Sequence, residues 1–501
     1  FCGWLRKLSL LGYTMAMLYT EDTYQLPGEP YFGYQRGAYS AEELKAIDDY
    51  AHRLGIEMIP CIQTLGHLEQ ILKWTAYNDV KDTSSVLLVD EDKTYALIEK
   101  MIATSADCFR SRRIHIGMDE THDLGRGRFM DLFGHERGFD IFNRHLAKVT
   151  AMCRKHNLSP MIWSDMYFRM GSKTMDYYDK ACVIPADVKA KIPKDVELVY
   201  WDYYHHDEEF YLDWIQRHRD LGKEPLMGSG VWTWCTLWNW QWKTAAATGP
   251  CVRASLKAGL KEFFVTLWGD DGAVCDFDSA MAGMVWVAEL AYTGKTPAAS
   301  LGKRFEAICH GDYKESVCAT DWGRELMWDD PIMGIFWHNQ NLVQRGFGKK
   351  IRDCYAKELG RLKKCRTKTT SGGDFGYAVA IADFLLRKID LRLKLDTAYA
   401  RRNKAGLKAV RKDIPKTIRS LEVLDEAFRT QWLRRNKPFG LEVMQIRFAG
   451  QKRRYEELDR RIGELLAGKI DRIDEMENLP SVALDGVHGN YRALAAGTSI
   501  L

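Results

Sequence analysis

The chain has 501 residues, 46% hydrophobic and 28% charged, enough apolar material for a large core and too much for a disordered chain. Lys and Arg number 72 against 68 Asp and Glu, a net charge of +4, which argues against a dedicated nucleic-acid binder. No apolar run reaches the ~18 residues a membrane-spanning helix needs, so no membrane partner is expected. The 12 cysteines are scattered, without a CxxC pair or a zinc-type cluster, and Cys61 and Cys153 lie inside apolar runs. Buried thiols of this kind fit a reducing compartment. A cytoplasmic location is therefore expected, and a periplasmic or secreted one stays open because the true N-terminus is not visible.

The chain opens on Phe1, and residues 1–11 already carry an amphipathic helical pattern. Seven strand candidates follow, at 13–20, 56–65, 112–118, 160–165, 196–203, 226–234 and 263–268. Helical patterns lie between them, as at 41–54, 94–109 and 141–156. Alternating strand and helix predicts parallel pairing with right-handed crossovers. Met58-Ile59-Pro60-Cys61-Ile62 and Phe263-Phe264-Val265-Thr266-Leu267 are nearly all apolar, as strands buried on both faces must be. A (β/α)8 barrel needs eight strands. The simplest account places the first upstream of Phe1; an open doubly wound sheet is the alternative.

The expected architecture is thus α/β: a TIM barrel over residues 1–295, apparently lacking its first strand, then an α-helical C-terminal domain over 296–501. In that second part, Leu441, Met444, Phe448, Tyr455, Leu458, Ile462 and Leu465 recur at helical spacing on one face. Residues 367–374 read as a loop between helices. Lys452-Arg453-Arg454 is closely followed by Glu456, Glu457 and Asp459, so this run, and Arg434-Arg435 with it, read as solvated helix faces rather than nucleic-acid patches. The helical part is expected to pack on the barrel or to pair subunits as a homodimer.

Of 16 tryptophans, ten fall between Trp163 and Trp286. Trp214 and Trp286 lie on helical patterns and read as core. Those near strand ends suit a carbohydrate pocket, because sugar C–H faces pack on indole planes and the indole N–H can serve a hydroxyl. The most informative stretch is Ile114-His115-Ile116-Gly117-Met118-Asp119-Glu120-Thr121-His122-Asp123, a short strand that ends in two adjacent acids. Barrel enzymes place their chemistry at such ends. Strand alternation sends His115, Gly117 and Asp119 to one face and Glu120 elsewhere. Neighbouring carboxylates do not suit the usual retaining pair, which flanks the anomeric carbon ~5 Å apart. They suit a substrate that supplies its own nucleophile.

This stretch, with His115, Gly117, Asp119, Glu120 and His122, resembles the His-x-Gly-x-Asp-Glu-x-His pattern of glycoside hydrolase family 20, the β-N-acetylhexosaminidases. The resemblance extends in motif order over about the first 300 residues, and the helical tail resembles that of the bacterial N-acetylglucosaminidase branch. Leu18-Tyr19-Thr20-Glu21-Asp22-Thr23 resembles the acidic end of the family's second strand. Gly37-Ala38-Tyr39-Ser40 resembles a helix start, with Ser40 as N-cap and Glu43 completing a capping box. Thr64-Leu65-Gly66-His67 resembles the turn after its third strand, with Leu where the family has Pro.

The resemblance implies an exo-acting enzyme that removes terminal β-linked GlcNAc, or GalNAc, from glycans through an oxazolinium intermediate, with no cofactor and no metal. It implies that Asp119 holds the acetamido N–H, that Glu120 is the acid and base, and that His67, oriented by Asp22, tunes Glu120. It implies that Trp163, Trp201 and Trp232 box the N-acetyl methyl. Tyr203 would bind the acetamido oxygen, with Tyr167 and Tyr204 as alternatives. Trp268 with Asp270, together with Asp165 and His122, would contact the sugar. The family's arginine for the O3 and O4 hydroxyls belongs to the first strand. Two other readings are a metal-dependent barrel hydrolase, with His115, Asp119, His122 and Asp123 as ligands, and a non-catalytic sugar-binding module.

Overall fold

The computed structural model describes residues 1–319, 324–342, 345–365, 369–370, 372–477 and 491–496. The chain divides into two compact units, one made of 1–230, 246–266 and 290–294, the other of 231–245, 267–289 and 295–501.

The first unit carries seven parallel strands: β1 (Met15–Tyr19), β2 (Glu57–Cys61), β3 (Arg113–His115), β4 (Ser159–Trp163), β5 (Glu197–Trp201), β6 (Leu226–Gly230) and β7 (Phe263–Thr266). They pair in chain order, β1 to β7, and the sheet's two edges are not paired to each other. Sequential parallel order with intervening helices is the wall of a TIM-type barrel. Those helices include α1 (Cys2–Leu11), α2 (Ala41–Arg53), α3 (Asp92–Cys108), α4 (Gly138–Lys155), α5 (Asp165–Gly171) and α6 (Glu208–Arg219). Their inward faces repeat at three and four residues, as in Leu97, Ile98, Met101 and Ile102 of α3 and Phe142, Leu146 and Val149 of α4. The capping box on α2 is complete: Glu43 N–H donates to Ser40 Oγ at 3.2 Å, and Ser40 N–H donates to Glu43 Oε2 at 2.9 Å.

The predicted strands all form, but each apolar run outlasts the paired segment. The difference matters most at 112–118. The regular strand there ends at His115, and the last backbone bonds to its neighbours are made by Ile116 and Gly117, because Gly117 and Met118 turn to left-handed φ values of 72° and 73°. The alternation expected to carry Gly117 and Asp119 onto His115's face therefore ends before it reaches them.

The second unit is built on α7 (Phe375–Ala400), α8 (Lys404–Arg435) and α9 (Leu441–Leu466). The predicted stripe on α9 is buried from Leu441 to Ile462, with Leu465 packed at its edge. Gln451 joins it: its amide donates to the Trp328 carbonyl at 2.8 Å and accepts from Lys388 Nζ at 3.0 Å. Of the predicted loop at 367–374, positions 367, 368 and 371 lie outside the described residues. Thr369–Thr370 and Gly373–Asp374 pair antiparallel, a ladder too short to leave a periodic signal.

Two basic residues read as solvated are instead anchored. Arg435 pairs with buried Asp276 at 2.6 Å and with Asp278 at 2.8 Å, and Arg454 pairs with buried Asp330. Lys452 and Arg453 do lie on the outer face, paired with Glu422 and Glu456. No described helix is long and apolar enough to cross a membrane.

Candidate active site

The site is built on the reversal that follows β3. Gly117 N–H donates to His115 Nδ1 at 3.0 Å. Burial pushes the His115 imidazole down to about 3, despite the opposing charge of Asp119, so it stays neutral and holds the turn. Only glycine fits at 117. With φ at 72°, an added Cβ would lie 2.0 Å from Gln63 Oε1. That close approach lets the buried Gln63 amide tie three strand ends together. Its Oε1 accepts from Met118 N–H at 3.3 Å, and its Nε2 donates to Asp119 Oδ1 at 2.8 Å and to Tyr19 Oη at 3.2 Å.

The turn after β2 closes against the same carboxylate. A Cβ on Gly66 would stand 2.9 Å from the Asp119 carbonyl oxygen, so backbone packs on backbone there. His67, itself left-handed at φ 53°, brings its Nε2 to 3.1 Å from Asp119 Oδ2 and 3.5 Å from Glu120 Oε2. These are ion-pair contacts rather than aligned hydrogen bonds. Burial alone would depress the imidazole, but Asp119, Glu120 and Glu21 outweigh it and push it up to about 10, so His67 is protonated at neutral pH. Burial would likewise raise Asp119. The neighbouring His67 and the Gln63 amide donor outweigh that and hold its carboxyl below the usual range.

Glu120 has a left-handed backbone too, at φ 48°, and its N–H donates to Asp165 Oδ2 at 3.0 Å. Such a conformation costs a non-glycine residue energy, and the Asp165 bond holds it in place. Burial first, and then the charge of Asp119, push the Asp165 carboxyl well above its ordinary range. Tyr177, in the loop after α5, donates its hydroxyl to Glu120 Oε1 at 3.2 Å and is hydrogen-bonded to His122 Nε2.

The structure thus brings Asp119, Glu120, His67, Asp165 and His122 together. It does not join Asp22 to His67. Asp22 pairs with Arg36 at 3.0 Å, and the acid beyond β1 whose charge acts on His67 is Glu21. Burial pushes Glu21 up to about 7 against the pull of Arg36 and His67. Trp163 is buried with its ring 4.4 Å from that of His115. Trp201 stacks on Tyr203 at 5.2 Å and lies 5.4 Å from Tyr177. Of the alternative tyrosines, Tyr167 is turned into the core, its hydroxyl donating to Asn143 Oδ1 at 2.7 Å, while Tyr204 is exposed.

Trp232, Trp268 and Asp270 belong to the second unit. There Trp232 stacks on Trp234 at 4.1 Å, and Thr233 donates to the Trp268 carbonyl at 2.7 Å. Trp268 is half-buried and Asp270 exposed.

The four residues proposed as metal ligands do not converge: His115 Nδ1 accepts from Gly117, and His122 Nε2 faces Tyr177. Among the described residues no three His, Cys, Asp or Glu are grouped to hold a metal ion. Sequence reasoning missed Gln63, Arg36 and Tyr177. The one signal for Gln63 is an amide between Ile62 and Thr64 at the end of an apolar run. Tyr177 lies 57 residues beyond Glu120 and leaves no spacing to read.

Residues 16–273 match the family model described as glycosyl hydrolase family 20, catalytic domain, and residues 306–489 match the glycoside hydrolase 20C C-terminal domain. Human hexosaminidase D is 29% identical over 205 residues, which is 38% of this chain and 39% of that protein. Bovine hexosaminidase D is 26% identical over 204 residues, 38% of this chain and 55% of that protein. The chain therefore spans about half or less of the length of these relatives. Among solved structures, a chitobiase of Flavobacterium johnsoniae aligns at 15% identity with a TM-score of 0.47, covering 99% of this chain and 74% of that one. A β-N-acetylhexosaminidase of Streptomyces coelicolor aligns at 15% identity with a TM-score of 0.43, covering 63% and 65%. With the catalytic-domain match spanning more than half of its length, the chain belongs to glycoside hydrolase family 20.

Proposed function

We propose that the protein is an exo-acting β-N-acetylhexosaminidase that releases terminal β-linked GlcNAc by substrate-assisted, retaining hydrolysis. One observation carries the reading. Asp119 and Glu120 stand side by side beyond β3, their carboxylates 3.1 and 3.5 Å from one protonated imidazole, while Gln63 holds the free oxygen of Asp119 and Tyr177 that of Glu120. Ionised Asp119 is suited to accept the acetamido N–H, which orients the acetamido oxygen toward C1 and offsets the positive charge that develops on the ring. As the C1–O bond breaks, Glu120 gives its proton to the leaving oxygen, and the acetamido oxygen closes the oxazolinium ring. Water then adds to C1 and loses a proton to Glu120, which restores both the N-acetyl group and the acid. Trp201 and Tyr203 offer an aromatic wall with a phenol for the acetamido group. The names of the hexosaminidase D relatives support the same substrate class.

The test is hydrolysis of an aryl β-GlcNAc. Glu120→Gln should lower kcat/KM by ~10²–10⁴ for an aglycone that needs its proton, the usual weight of general acid–base catalysis. Asp119→Asn should slow formation of the oxazolinium. Wild-type rates in either variant would sink the assignment.

A further inference from the structure

We propose that His122 and Tyr177 form a proton wire on Glu120 that keeps it hydrogen-bonded as both acid and base. The inference rests on the reading of Glu120 as the acid–base group. Tyr177 Oη lies 3.2 Å from Glu120 Oε1 and is hydrogen-bonded on its other side to Nε2 of His122, whose side chain is exposed. A tyrosine hydroxyl carries one proton and accepts others, and a neutral imidazole has one donor and one acceptor nitrogen. Two complete arrangements follow. With Glu120 ionised, His122 Nε2–H donates to Tyr177, and Tyr177 donates to the carboxylate. With Glu120 protonated, its O–H donates to Tyr177, Tyr177 donates to bare Nε2, and His122 carries its proton on Nδ1. The two differ by a single proton. Entering at Nδ1, it displaces the Nε2 proton onto the tyrosyl oxygen and the tyrosyl proton onto Glu120; leaving, it retraces the path.

The surroundings keep both members neutral. His122, exposed but partly desolvated by its neighbours, is held below its ordinary value by that desolvation first and then by Arg169 and His67, against Asp123 and Asp119. Tyr177 is pushed up by burial and by the charges of Glu120 and Asp165, against the Arg169 guanidinium 5.4 Å from its ring. Glu120 itself is faced by His67, Asp119 and Asp165. Tyr177 and His122 act through Glu120 and are positioning residues.

The wire makes two variants move in opposite directions, which a merely structural role would not. Tyr177→Phe removes the donor to the carboxylate, so Glu120 keeps its proton longer. The alkaline limb of kcat/KM for an aryl β-GlcNAc should rise by about half to one pH unit, the weight of one hydrogen bond. His122→Leu removes the acceptor for the tyrosyl proton and leaves Tyr177 a fixed donor to the carboxylate, so the limb should fall by a similar amount. His122→Gln, which keeps a donor and an acceptor, should bring it back toward wild type. Glu120→Gln is measured alongside. If it abolishes turnover while both limbs stay in place or move the same way, the wire is overturned and the role of Glu120 stands. If it leaves turnover intact, or if the wild-type chain is inactive, the reading on which the wire rests is overturned.

Discussion

His67 faces two carboxylates at 3.1 and 3.5 Å and is pushed up to about 10, so at working pH it is a cation fixed beside Asp119 and Glu120. Because its value in the fold lies above the usual 6.5, the ion pairs contribute stability in full below about pH 6.5, and that contribution is lost as pH rises to about 10. The imidazole resonances of wild type should accordingly titrate near pH 10, and in Asp119→Asn they should move back toward the ordinary histidine range. A wild-type midpoint near 6.5 would remove this charge from the account. The adjacent acids were legible in the sequence because two carboxylates closing an apolar strand have no packing use. Their partners were less so. Asp22 was expected at His67, but Arg36, 14 residues along the chain, takes it. Nothing in one residue's type announces that exchange.

At the scale of elements, the reversal after β3 positions the two acids proposed for the chemistry. Gly117 admits the Gln63 amide, Gln63 holds Asp119, and the left-handed Glu120 is tied to Asp165. Gly117→Ala would push a methyl against that amide at a φ that disfavours any side chain. It should destabilise the protein by more than about 2 kcal/mol and lower turnover without touching an ionisable group. Thermal melts and kinetics of the variant check both effects, and an unchanged melt would mean that the turn tolerates a side chain. The strands were legible where a mostly apolar run stands between helical patterns, as at β2 and β4, each buried at every position after its first residue. Their ends were not. An apolar residue such as Met118 continues the pattern after the backbone has turned out of the sheet.

Across the whole molecule, the helical unit depends on buried ion pairs as well as on its long apolar stripe. Arg435 is largely buried against Asp276, which has no solvent exposure. Arg435→Ala would strand that carboxylate and should cost about 3–5 kcal/mol in denaturant unfolding, whereas a double change with Asp276→Asn should cost less. Equal losses in the two would mean that the pair carries no weight. The helical character of this unit was legible from periodicity. The anchoring of Arg435 and Arg454 was not, since their acids lie 159 and 124 residues away in sequence. The central claim, that the substrate's own acetamido group is the nucleophile, is tested most directly by aryl β-GlcNAc analogues with one, two and three fluorines on the N-acetyl methyl. Fluorine weakens the acetamido oxygen as a nucleophile, so kcat/KM should fall steeply with each substitution. Rates insensitive to fluorination would contradict the account.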